Sequence, residues 1–244
     1  MVAKDIAYYS GRMLFILCRS KSKQYQLYSE IGNRRLIMCF SATASFTVSG
    51  LLTFAGILSI KKAQSSLRLL ACVPLIFAIQ QCCEGIIWLD PMGSFASLAT
   101  IIFFTIATVL WPVWIPLSTR YAETDLYRKK MLYIPLCCGI IFSILALIFY
   151  IGYGVKGMPI NNHIAYLTHS LPIPNIIAMI LYGTAVILPS FISSLKQIWF
   201  FGLGIIGAYL VTHVWFPEHF ASVWCFFAAV LSLLTVYIIY SNKR

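Results

Sequence analysis

The chain has 244 residues, of which 60% are hydrophobic and 10% charged, with a formal net charge of +11. About a quarter of a soluble domain's residues are charged, so this chain cannot clothe a water-facing surface, and lipid must cover most of it. Its basic residues fall in short runs between apolar stretches, which is the pattern of membrane topology and not of a nucleic-acid face. Its eight cysteines form no C-x-x-C pair, which argues against a zinc ribbon or a disulfide scaffold.

Residues 1–37 read as a basic N-terminal extension. They hold Lys4, Arg12, Arg19, Lys21, Lys23, Arg34 and Arg35 against Asp5 and Glu30. Apolar runs follow at Phe40–Ile60, Leu69–Leu89, Phe95–Ser118, Met131–Gly152, Pro172–Ile192, Ile198–Phe216 and Phe220–Tyr240. Each approaches the roughly 20 residues that a spanning helix needs. The pattern predicts an all-α integral membrane bundle of about seven transmembrane helices over residues 38–244. Prolines near the span ends are tolerated where neighbouring side chains satisfy the freed carbonyls. The longest loop, Tyr153–Leu171, carries His163 and His169 and reads as a plain connector, with a lid over the pocket as the alternative.

The loops also predict orientation. One side carries Lys61, Lys62, Arg68, Arg120, Arg128, Lys129, Lys130, Lys196, Lys243 and Arg244, whereas the other, after residue 38, carries only Lys156. The positive-inside rule puts the first side, with the C-terminus, in the cytoplasm and the start of the bundle outside. The basic extension would then lie on the wrong side: either it is translocated against the rule, or it is absent from the mature protein, as a native start at Met38 would have it.

From Met38 the chain reads Met-Cys-Phe-Ser-Ala-Thr-Ala-Ser-Phe. Further on come Gln80-Gln81-x-x-Glu84-Gly85-x-x-Trp88, Trp111-Pro112-x-Trp114-x-Pro116 and Ser222-Val223-Trp224-Cys225-Phe226-Phe227-Ala228-Ala229. These stretches resemble an uncharacterised family of bacterial multi-spanning membrane proteins. The resemblance implies seven helices beginning at that methionine, in the bacterial inner membrane, and supplies no activity.

The second span contains the only acid placed well inside an apolar run, Glu84. An ionisable group there normally faces a protein interior or a wet cavity. Gln80, Glu84 and Trp88 share one helix face at i, i+4, i+8, and Gln81 flanks the glutamate. Glu84 lies about five residues, roughly 7–8 Å, from the outer end. The predicted topology brings Cys39 and Ser41 of the first span, His213 of the sixth, and Trp224 and Cys225 of the seventh to a similar depth. The candidate pocket is therefore Glu84, Gln80, Gln81, Trp88, Ser41, Cys39, His213, Trp224 and Cys225, on the non-cytoplasmic side. It would bind a small polar ligand, a proton or a cation. A second reading is a membrane-embedded hydrolase, with Glu84, His213, His219 and Cys225 as metal ligands, although no H-x-x-x-H or H-E-x-x-H pair occurs. A third is an accessory protein whose polar face only packs helices. The stripe Ser41, Ser45, Ser49 fits close packing, and the tryptophans near span ends fit an aromatic belt.

Overall fold

A computed structural model describes residues 41–160, 163–169, 171–216 and 219–241. Cys39, Glu218, Lys243, Arg244, Met38 and the extension 1–37 lie outside the described residues. Among the described residues, seven helices are long and apolar enough to cross a membrane: α1 Ala42–Lys62, α2 Ser65–Leu89, α3 Ser94–Ala122, α4 Leu126–Tyr153, α5 Asn175–Ile192, α6 Ile198–Trp215 and α7 Phe220–Ser241. This is the architecture of a multi-pass membrane protein. The ends follow local chemistry. Ser41 caps α1 by accepting from the Ala44 N–H at 3.2 Å. Asp125 caps α4 by accepting from Arg128 N–H at 2.8 Å. Gly154, at φ +75°, ends α4 in a backbone conformation that only glycine adopts readily.

The helix α2 is the axis of the bundle: 72% of its apolar window is buried, against 22–50% for the other six helices. It packs against α1, α3 and α7. Next, α4 packs on α3 and α5, α6 on α5 and α7, and the second half of α7 returns to α1. Within α3, the stretch Ile106–Leu110 is a π-turn directly before Trp111-Pro112, where proline removes a backbone donor. Neighbours serve the carbonyls of that turn. Tyr182 Oη donates to Ala107 O at 2.9 Å, and Ser143 Oγ donates to Val109 O at 2.9 Å.

The all-α bundle carries one small non-helical element. The loop after α4 is not a plain connector but an antiparallel hairpin, β1 Lys156–Ile160 and β2 His163–Leu167, in the register Lys156↔Leu167 to Ile160↔His163. It packs on the ends of α2, α3 and α7. Its anchors are Ile164 and Ala165, both buried. A close backbone approach fixes it as well: a Cβ on Gly157 would stand 2.7 Å from Thr100 Oγ1 of α3. Only a residue without a side chain lets β1 lie this flat.

Candidate functional site

The hairpin covers the polar half of α2. The helical spacing turns Gln80, Gln81 and Glu84 inward, at 0%, 0% and 2% exposure. Glu84 Oε2 accepts from Gln81 Nε2 at 3.3 Å, one helical step back. Glu84 Oε1 accepts from Tyr166 Oη of β2 at 3.4 Å. The hydroxyl of Ser222, in the first turn of α7, is a third hydrogen-bond partner. Three elements thus supply neutral partners to one carboxyl group. Tyr166 is held in place by its ring, which stacks on Phe103 at 4.4 Å between centroids and 6° between planes. Burial first, and then the neighbouring Glu84, push its phenol well above the usual value of 10, so it remains a donor. Gln81 Oε1 is buried and has no hydrogen-bond partner among the described residues.

Gln80, on the same face, serves a different part of the interior. Its Oε1 accepts from Trp111 Nε1 at 2.7 Å, and its Nε2 lies 3.4 Å from Phe103 O and 3.8 Å from Cys225 Sγ. Beside it is a cavity of about 40 Å³ whose lining includes Trp111, Tyr182, Phe201, Trp224 and Cys225. That lining is apolar, and Glu84 is not part of it.

The structure divides the predicted site residues. Gln80, Gln81, Glu84 and Cys225 come together, and half-buried Trp88 packs beside them against the cluster of Cys83, Ile87, Phe103 and Ile164. Trp224 is interior, donating to Ile205 O at 3.4 Å and lining the apolar cavity. Trp111 is interior too, so neither belongs to an aromatic belt, whereas Trp199 and Trp215 are exposed. Ser41 is spent as the α1 cap. His213 is exposed and stacks on Tyr209 at 5.6 Å, away from the carboxyl group. His219 is 7% exposed, with its ring 5.0 Å from that of His163 in β2. Burial, and then His219, hold the His163 imidazole below its ordinary 6.5. The proposed ligand set Glu84, His213, His219 and Cys225 is not assembled. Among the described residues no three His, Cys, Asp or Glu side chains gather where they could hold a metal ion.

Sequence reasoning missed Tyr166, Ser222 and a second buried acid. Local pattern gave little signal for Tyr166, because neither five-residue run, Lys156–Ile160 or His163–Leu167, alternates in the way of a half-buried strand. The second acid, Glu123, follows α3 at the far end of the bundle and is 2% exposed. Its Oε1 accepts from Thr124 N–H at 2.9 Å, Asp125 N–H at 3.0 Å and Ser194 Oγ at 2.7 Å, and its Oε2 accepts from Ser194 N–H at 2.7 Å. Burial pushes this carboxyl up. The bonds from the Ser194 side chain and backbone, then from Asp125 and Thr124, outweigh burial and hold it below the ordinary 4.5.

Comparison with known proteins adds one relationship. A family model described as a family of unknown function (DUF6629) matches residues 38–244. No curated protein and no solved structure matches the chain.

Proposed function

The chain belongs to this family of unknown function, and on that premise we propose that it is a bacterial plasma-membrane protein whose Glu84 takes up a positive charge, a proton or a small cation, in the manner of a receptor or carrier. The basic loops and the C-terminus face the cytoplasm in this reading, Glu84 faces the other side, and the lipid bilayer is the surrounding partner. No nucleic acid is involved.

The observation that carries the reading is the contrast between two buried carboxyl groups. Glu123 has four donors at 2.7–3.0 Å, the short bonds expected around an ionised carboxylate. The partners of Glu84 stand at 3.3 and 3.4 Å, at the long edge of the hydrogen-bond range, and none of its hydrogen-bond partners among the described residues carries a positive charge. A shell of this kind does not compensate a bare charge away from water. It is completed by one added positive species.

Infrared difference spectroscopy on the protein in lipid vesicles, taken across a pH titration, tests the reading. A protonated-carboxyl band should rise and fall with pH and vanish in Glu84→Gln, a near-isosteric change. Its absence from the wild-type spectrum at every pH and in every cation would refute the reading. Cysteine labelling from each side of the vesicle, at Lys156→Cys and Lys196→Cys, tests the orientation.

A further inference from the structure

Resting on that reading, we infer that the species taken up is a proton, and that Gln81 is the positioning residue that recognises it by reversing its amide. A primary amide presents a donor and an acceptor at nearly the same place. With Glu84 ionised, Gln81 Nε2 donates to Glu84 Oε2, as the 3.3 Å contact has it. That arrangement leaves Gln81 Oε1 buried without a donor, an unfavourable condition for a polar group in a protein interior. When a proton reaches Glu84, the carboxyl group becomes a donor, and an amide turned by half a rotation offers Oε1 to it. The bond that forms is carboxyl O–H to amide oxygen, and the one that breaks is amide N–H to carboxylate. One side chain can therefore meet both charge states of Glu84, its flip exchanging the unmatched amide oxygen for an amide N–H at the same place.

The surroundings leave few other groups to take part. The titratable side chains around Glu84 are Tyr166 from β2, Cys225 from α7, and Cys82 and Cys83 on α2 itself, with His163 and His219 farther out between the hairpin and α7. Neither α1 over residues 41–60 nor α3 over residues 94–119 carries a titratable side chain.

The test is the same infrared titration on the full chain, now with carbon-13 in the glutamine side-chain amides and with Gln81→Met as the variant. An amide carbonyl band should move in step with the Glu84 carboxyl band in wild type and be lost in Gln81→Met. The carboxyl band of that variant should shift to higher frequency as its acceptor disappears. Replacing sodium with choline should leave the titration midpoint unchanged. A wild-type spectrum with no glutamine band accompanying the carboxyl band overturns the inference, and it does so without requiring the variant to fold. A midpoint that follows sodium concentration overturns it as well, in favour of a hard cation. In both cases Glu84 still titrates, so the broader reading survives. Only a spectrum with no Glu84 band removes both.

Discussion

Glu123→Gln isolates the bracing of the bundle at the end opposite Glu84. The wild-type carboxylate ties the turn after α3 to Ser194 in the connection between α5 and α6 through four bonds. Arg128 adds to the same junction by donating to Ile192 O at 3.0 Å and Ser193 O at 3.2 Å. In the variant, the amide oxygen keeps the three bonds now made to Oε1, as neutral ones. The amide nitrogen then faces Ser194 N–H, donor against donor. One charged bond is worth about 1.5–3 kcal/mol, and the weakening of the other three is offset by no longer burying a charge, which leaves a net loss of about 1.5–3 kcal/mol. For a chain of this size that corresponds to roughly 3–12 °C in melting temperature. The assay is thermal unfolding of both proteins in the same detergent, repeated down a pH series. Because the folded carboxyl sits below its ordinary 4.5, its contribution is fully present above that value and is lost as the pH falls through the folded pKa. The two melting curves should therefore converge in acid. Equal melting temperatures at neutral pH, or a gap that does not close in acid, would refute the reasoning.

Gly157→Ala should lift the hairpin from α3, because the added methyl group meets Thr100 Oγ1 at 2.7 Å; faster proteolysis within residues 156–167, with the helices intact, is the readout. Tyr166→Phe keeps the stack on Phe103 but removes a hydrogen bond to Glu84, so a loss of about 0.5–1.5 kcal/mol and a shift of the Glu84 infrared band are expected together. Gly139→Ala drives a methyl group into the Pro112 carbonyl, and a cost of about 1–3 kcal/mol from overpacking should appear as a lowered melting temperature with the Glu84 titration unchanged. His163 has a folded pKa below 6.5, so the hairpin gains stability above that pH and loses it as the pH falls below it. The proteolysis rate within residues 156–167 should rise on acidification in wild type and far less in His163→Gln.

The helices were legible because hydrocarbon imposes a crude rule, a run of about 20 apolar residues, and every run satisfied it. Glu84 was legible for the same reason, as an exception inside such a run. Where the reading erred, a different interaction had taken over from the periodicity. His213 is exposed and stacks on Tyr209, and a position along a span cannot distinguish a helix's outer side from its interior side. Trp111 sits within α3, where an interfacial belt seemed natural, yet its indole N–H found Gln80 at 2.7 Å. The hairpin was hidden because its strands are five residues each and are stabilised by docking on three helix ends, a tertiary effect that local pattern does not carry. Glu123 lies one residue beyond α3, where a charged residue looks like ordinary loop chemistry; only the arrival of Ser194 from a distant connection makes it interior.

The order in which the partners of Glu84 occur along the chain has a consequence for biogenesis. Synthesis delivers α2 early, β2 much later and α7 last, so of the three hydrogen-bond partners of Glu84 only Gln81, on the same helix, is made together with it. At about 5–20 residues per second, roughly 7–28 seconds pass before Ser222 is made. Through that interval the acid lacks two of its three final neighbours, so its compensation is completed only when the last helix has been made.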